Sequence, residues 1–321
     1  MQSLPDDFDT DELAAALTRE WGVAVASLEH APVGFGSHHW TARDPSGGRW
    51  FVTVDDLEIG RFAQAETHDD AYARLTRALA TARALRETGA GFVVAPVPTA
   101  GGRAVVRLGP RWAAALYPHV DGTSFGWQQW TGEDHRHGVL DMVVGVHAAP
   151  PSVREKAGVD DLSVPRRDAV EAALAGEPAG DGPYAERTAA LLAEHANAVA
   201  ARFARYDERI AAVDRAGDVL THGEPHPGNT MRTAGGWRLI DWDTTLVAPP
   251  ERDLWLLGDE TSDGYARATG NALRPEVLAL YREWWELADL AIGVARFRGV
   301  HRGSQDDDDT WEIVERIVNA A

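Results

Sequence analysis

The run Thr221-His222-Gly223-Glu224-Pro225-His226-Pro227-Gly228-Asn229 places a carboxylate, two imidazoles and an amide close together. Its two prolines and two glycines forbid a helix, so it reads as a tight loop carrying polar side chains. The apolar Val219-Leu220 leads into it. Asp241 follows Asn229 by twelve residues, within Trp237-Arg238-Leu239-Ile240-Asp241-Trp242-Asp243, a predicted strand entered from the turn Ala234-Gly235-Gly236. A hairpin of this length can bring Asp241 beside Asn229. A carboxylate, an amide oxygen and a second carboxylate in one place suit magnesium, which takes hard oxygen ligands and keeps waters and phosphates in its shell. Phosphoryl transfer asks for such a set: one group to orient the attacking hydroxyl, and metals to bridge the phosphates.

His222 and His226 stand four apart with Glu224 between them, a spacing that binds zinc when both histidines share a helix face. Gly223 and Pro225 break any such helix, which makes a zinc hydrolase the weakest reading. A second run, Val33-Gly34-Phe35-Gly36-Ser37-His38-His39-Trp40, lies between two predicted strands. Its glycines permit close backbone approach, and its amides can face phosphate oxygens; alone, such a run is a hairpin turn. Trp127, Trp130, Trp284 and Trp285 read as packing rather than as substrate platforms. The acids Asp259, Glu260, Asp263, Glu283, Glu286 and Asp289 read as a solvated helix face, with receipt of substrate amines as the second reading.

The elements that must hold these residues fall into two parts. A first helix over 11–21 precedes strands at 25–30, 40–43 and 49–54, the last two joined by the turn Asp44-Pro45-Ser46-Gly47-Gly48. A long helix over 66–87, closed by Gly89, is followed by strands at 92–95, 104–108 and 112–117. The expected first part is thus an antiparallel sheet with one inserted helix. Beyond Tyr117-Pro118-His119-Val120-Asp121-Gly122 the pattern is helical, over 132–148, 184–213 and 274–298, with a Pro- and Gly-rich excursion at 160–182. Asp306 to Asp309 reads as a solvated acidic loop before a last helix. The expected division is 1–117, a connection at 118–122, and 123–321, with a ligand cleft between the two parts.

Composition bounds the rest. A chain of 321 residues exceeds a usual single core, and 44% hydrophobic residues is too many for disorder. The absence of cysteine excludes disulfides and thiolate metal sites. A net charge of −19 repels nucleic acid, and there is neither a run of about 18 apolar residues nor a signal-like start. The expectation is a soluble cytoplasmic protein with no nucleic-acid or membrane partner and a small-molecule substrate; the acidic charge reads first as general solubility, with a cationic substrate as the second reading. Among 31 basic residues only Lys156 is a lysine.

Residues 221–229 resemble the catalytic loop of the aminoglycoside phosphotransferases, His-Gly-Asp-x-His-x-x-Asn, in which base and metal ligand keep the separation they have in protein kinases. Ile240-Asp241-Trp242 resembles that family's metal-binding motif. The continuation Asp243, then Ala248-Pro249-Pro250-Glu251-Arg252-Asp253-Leu254, is similar to its spectinomycin phosphotransferase branch. The resemblance spans about residues 25–300. It implies an α+β, protein-kinase-like two-lobe fold, ATP or GTP as donor, and magnesium as cofactor. It assigns Glu224 as the catalytic base, Asn229 and Asp241 as metal ligands with Asp243 nearby, and His222 and His226 as histidines shaping the loop. Asp253 becomes an acid that braces the loop. Gly34, Gly36, Ser37 and His38 cover the nucleotide phosphates, while Tyr117, His119 and Val120 meet its base.

The chain departs from the family pattern in three places. Glu224 stands where aspartate is usual, which moves the carboxylate by about 1.5 Å, and misplacement on that scale can cost roughly 100-fold in rate. Thr53 occupies the third-strand lysine position. The long helix carries Arg74, Arg77 and Arg83 at its centre instead of a glutamate partner. Arg49, a helix arginine or the metals alone are then the candidates to hold phosphate. The alternative is a catalytically silent, nucleotide- or ligand-binding pseudokinase.

Overall fold

A computed structural model describes all residues except Asp6, Phe35, Asp259 and Glu260. Helix α1 (Thr10–Trp21) starts where the Asp9 carboxylate accepts from the Asp11 and Glu12 amides, and it ends at Gly22, whose φ of 71° favours glycine. Strands β1 (Ser27–His30), β2 (His38–Arg43) and β3 (Arg49–Asp56) follow, then α2 (His68–Glu87), β4 (Val106–Leu108) and β5 (Trp112–Pro118). They make a five-stranded antiparallel sheet in the order β1-β2-β3-β5-β4, with α2 as its inserted helix.

Alternation along β2 and β3 divides this sheet into two faces. Trp40, Ala42, Val52, Val54, Ala114 and Leu116 pack under Leu13, Ala16 and Leu17 of α1 in one core. Ala113, Ala115 and Tyr117 share a second core with Leu79, Ala82 and Leu85 of α2 and with Val139, Val143 and Trp242 beyond the sheet. This core runs through both parts of the chain and clamps them together.

After β6 (Thr123–Ser124) the chain is mainly helical: α3 (Glu133–His147), α4 (Pro151–Arg154), α5 (Arg167–Leu174), α6 (Ala185–Glu194) and α7 (Ala196–Ile210), with the short β7 (Gly158–Val159). Strands β8 (Val219–Thr221), β9 (Thr230–Thr233), β10 (Gly236–Leu239) and β11 (Leu246–Ala248) come next. The chain closes with α8 (Glu251–Leu254), α9 (Ser262–Thr269), α10 (Pro275–Arg298) and α11 (Gln305–Asn319). The third core gathers α5, α6, α7 and α11 around α10, with Leu287, Ala291, Val294 and Val314 fully buried. Among the described residues no helix is long and apolar enough to cross a membrane.

Four expected elements differ. Residues 92–95 are not a strand: Val93 makes a single bridge to Leu239, because Pro96 and Pro98 cannot extend a ladder. The helix expected over 184–213 is two helices that change course at His195, letting Leu192 of one and Val199 of the other reach the same core. Asp306–Asp309 is not a loop but the first turn of α11. There Ser304 and Asp307 form a capping box, carboxylates favour the helix N-terminus, and Asp306 and Asp307 are buried. The strand expected to reach Asp243 stops at Leu239, since Asp241 takes a left-handed backbone (φ 67°) that no ladder accepts.

Candidate active site

Strand pairing sets the site. In the β9–β10 hairpin Thr230 lies opposite Leu239, and the Ile240 amide donates to the Asn229 carbonyl at 2.9 Å. Asp241 therefore emerges next to Asn229. The Asn229 amide nitrogen donates to the Glu224 carbonyl at 3.0 Å, which leaves the amide oxygen for another partner. Residues 227–229 form one 3-10 turn started by Pro227, which aligns Asn229 with the loop before it.

A buried scaffold fixes the backbone of 221–224. The Asp253 carboxylate, fully buried, accepts from the His222 amide at 2.9 Å and the Gly223 amide at 2.6 Å, and pairs with His147 Nε2 at 3.1 Å. Burial opposes its charge, yet the His147 contact and the neighbouring His222 and Arg252 hold it below its ordinary range. Arg252 donates to the Thr221 hydroxyl and the Thr244 carbonyl, and the Thr244 hydroxyl donates to the His222 carbonyl, each at 2.9 Å. Gly223 has φ 106°, and a Cβ there would come within 2.6 Å of Arg252 and Thr244, so only glycine fits.

His222 is bonded at both nitrogens. Its Nδ1 accepts from the Glu224 amide at 3.1 Å, and its Nε2 donates to the Ile240 carbonyl at 2.9 Å. That pattern needs the neutral ring, and burial accordingly pulls its pKa down to about 4. His222 thus ties the loop to the strand before Asp241 and has no proton to offer near neutral pH. His226 Nε2 stands 3.8 Å from the Glu224 carboxylate, with its ring edge-on to Trp127.

The cleft is crowded with negative charge. Asp241 is open to the cleft but walled by protein; that environment, then Glu224 and Asp55, pushes its carboxyl up to about 7. Asp243 is raised further by burial and by the charge of Asp241. Asp55 is raised to about 6 by burial, against a 2.7 Å hydrogen bond from the Ser37 hydroxyl. The Met1 ammonium, bonded to the carbonyls of Val33, Gly34 and Ser37, is the cation that acts on Asp241. No three His, Asp or Glu side chains among the described residues can hold a metal by themselves. Two neighbouring carboxylates and a free amide oxygen fit a magnesium whose shell phosphate and water complete.

The sheet forms the roof. Gly34 and Gly36 both have positive φ, 71° and 93°, and Phe35 between them lies outside the described residues. His38 turns away from the cleft: it is buried near Trp40 and Trp112, with Nδ1 3.1 Å from the Ser3 carbonyl. Alternation puts His39 on the cleft face instead, stacked on Phe51 at 5.1 Å, and across the ladder from Thr53. Thr53 hydrogen-bonds Tyr117, whose hydroxyl is pushed up by burial and by Asp55, Asp241 and Asp243. His119 faces Asp121 at 3.6 Å, and its amide donates to the Arg49 carbonyl at 3.4 Å, next to Val120, which packs partly buried against the core shared by both parts. Three of the arginines expected to replace the lysine are engaged elsewhere, Arg49 with Asp121, Arg74 with Glu66 and Arg83 with Glu87, while Arg77 lies beside Gly158 of β7.

Opposite Glu224 stands an aromatic wall. Trp127, 39% exposed, stacks on Trp285 at 5.0 Å, and Trp285 leans on Trp255 at 5.6 Å. Asp289 is half-buried beside Trp285, and burial and then Glu224 raise its carboxyl to about 7. Glu283 and Glu286 are not a solvated face, because both clasp the buried Arg202. Asp259 and Glu260 lie outside the described residues.

Sequence reasoning passed over Asp55, Thr244, His147 and Arg252. Alternation from Phe51 and Thr53 would have placed Asp55 in the cleft. Nothing local marks His147, which acts across 106 residues of chain.

A five-stranded sheet with one helix, a helical second part and a carboxylate–amide–carboxylate cleft between them define a kinase-like phosphotransferase fold. The chain belongs to the phosphotransferase enzyme family, whose model matches residues 28–291. It is 34% identical over 256 residues to Protein StrN of Streptomyces griseus, covering 73% of this chain and 74% of that one. Spectinomycin phosphotransferase APH(9)-Ia, solved with ADP and spectinomycin, shares the fold with a TM-score of 0.71 at 16% identity, over 98% of both chains. APH(2")-IIia, solved with GDP and kanamycin, superposes with a TM-score of 0.59 at 14% identity, over 96% of this chain and 98% of that one.

Proposed function

We propose that this protein transfers the γ-phosphoryl group of ATP or GTP to a hydroxyl of a small, ring-bearing cationic molecule. The observation that carries the reading is the convergence of Glu224, Asn229 and Asp241 on one cleft, with the loop backbone anchored by Asp253. Glu224 orients the acceptor hydroxyl and takes its proton as the oxygen attacks the γ-phosphorus; the bond to the bridging oxygen breaks and the nucleoside diphosphate leaves. Asn229 and Asp241, with Asp243 nearby, would hold magnesium, which neutralises phosphate charge. The amides of the Gly34–Ser37 loop cover the phosphates, and the chain at Tyr117, His119 and Val120 borders the base. Trp127 and Trp285 offer a flat face to a ring, and Asp289 a carboxylate to its cation. The small-molecule ligands of the solved relatives, spectinomycin and kanamycin, support this acceptor class.

The test is calorimetry with non-hydrolysable ATP and GTP analogues, with and without magnesium, on wild type and Asp241→Ala, followed by phosphate transfer to a panel of aminocyclitols. Magnesium-dependent binding lost in the variant, together with transfer, supports the reading. Binding without transfer to any acceptor points to the silent relative that Thr53 and Asp55 in the roof favour. No nucleotide binding at millimolar concentration overturns both.

A further inference from the structure

Beside the chain connection lies a cavity of about 280 Å³. Its floor is apolar, from Val93, Val94, Ala95 and Pro96, and Pro118 and Val120 form one wall. Three arginines and one carboxylate line it: Arg83, Arg86 and Glu87 from the end of α2, and Arg238 from β10. Arg83 is paired with Glu87. The other two make only carbonyl contacts, Arg86 to Ala90 at 3.2 Å and Arg238 to Gly235 at 3.1 Å and Trp237 at 2.9 Å. Neither meets a carboxylate among the described residues. In a chain with 50 acidic and 31 basic residues, where most arginines have found an acid, two uncompensated guanidiniums in one cavity reverse the local charge.

We propose that this cavity is a binding site for a small organic anion, a phosphate or carboxylate carried on one ring or a short apolar chain. The arginine forks take the anionic head, and the valine–proline floor takes the body. The volume lies just under the roughly 300–1,000 Å³ of ordinary ligand pockets, which limits the occupant to about one ring.

The location gives such a ligand leverage. The floor is stitched to the helical part by Val94 N–H to Leu239 O at 3.0 Å and Leu239 N–H to Phe92 O at 2.9 Å. Arg238 precedes Asp241 by three residues, and Arg86 rides on the helix of the sheet-bearing part. An anion bridging Arg86 and Arg238 therefore joins both parts at their pivot. It acts on the spacing of roof and floor, a coupling that rests on the function proposed above; the binding itself does not.

Binding of phenyl phosphate, benzoate and inorganic phosphate is measured by calorimetry at fixed ionic strength, in EDTA so that the acidic cleft offers phosphate no metal. The proteins are wild type, Arg86→Ala, Arg238→Ala and, as a control, Arg282→Ala on the exposed side of α10. The expected result is saturable binding of phenyl phosphate or benzoate, weakened at least tenfold in Arg86→Ala and in Arg238→Ala and unchanged in Arg282→Ala. Preference for phenyl phosphate over benzoate identifies a phosphate head, and the reverse a carboxylate. Saturable binding of inorganic phosphate alone removes the role of the apolar floor and overturns the proposal. So does non-saturable binding, or binding equally weakened in all three variants. Failure of nucleotide binding to wild type, with anion binding intact, would sink the kinase reading and leave this site standing.

Discussion

The floor and the roof of the cleft are built on opposite principles. In the floor the amides of His222, Gly223 and Glu224 are each held by a buried partner, and the Asp253 carboxylate, the Arg252 guanidinium and the His222 ring each make two or more hydrogen bonds. In the roof, among the described residues, the glycine loop is held by the Met1 ammonium on three of its carbonyls and by one Ser37–Asp55 bond, and Asp55 adds negative charge where a triphosphate would lie. Position is over-determined in the floor, where a base misplaced by about 1 Å would be costly. The roof supplies no lysine, so under the proposed function compensation of phosphate charge would fall to metal held below.

Breaking the floor should have the largest effects. Glu224→Gln should reduce transfer by about 100- to 10,000-fold with nucleotide affinity little changed, as removal of a general base does; steady-state kinetics on an identified acceptor checks this. Glu224→Asp sharpens the point: a drop of only about tenfold would mean that the loop tolerates either carboxylate length. Asp253→Ala should cost about 3 kcal/mol of stability in urea titration, since it leaves two amides and His147 without their buried acceptor. A loss below about 1 kcal/mol would show the brace to be redundant with Arg252.

The roof should respond in the opposite sense. Asp55→Asn removes a charge facing the phosphates and should tighten nucleotide binding severalfold at limiting magnesium, with the gain fading as magnesium saturates. Unchanged affinity at every magnesium level would place Asp55 outside the reach of the nucleotide.

The smallest effect is expected at Asp289. Its carboxyl stands at about 7 in the fold, against about 3.9 in an unfolded chain. Between these values the fold keeps a proton that the unfolded chain has lost, so this contribution is full below about pH 4 and disappears as pH rises through 7. Asp289→Asn should therefore raise the melting temperature slightly at pH 8 and leave it nearly unchanged at pH 4. The groups facing it are Glu224 and Glu286, which resist its ionisation, and Arg316, which favours it. Equal melting shifts at both pH values would remove the titration from the account.

The sheet with its inserted helix was legible from short β-rich runs punctuated by glycine turns, which report local conformation directly. Trouble began where a local signal met a tertiary demand. Val93 and Val94 carry strand propensity, but the prolines after them and the approach of Leu239 leave one bridge. The four acids at 306–309 look solvated by composition, but a helix N-terminus stabilises them and buries two. His38 and His39 are indistinguishable by type, and only the register of β2 on β3 sends one into the core and the other to the cleft.

By itself the sequence determined the chemical inventory: which residues could orient a hydroxyl and which could hold a metal, through a loop so rich in proline and glycine that it has few conformations. It also determined that no lysine stands in the sheet-bearing part, since composition admits no rearrangement. Only the tertiary structure decided what surrounds these groups. Burial and the mutual repulsion of Asp55, Asp241, Asp243 and Glu224 depend on distances between strands far apart in the chain, as does the anchoring of Asp253 by His147. A charge's environment is a property of packing, and packing is non-local.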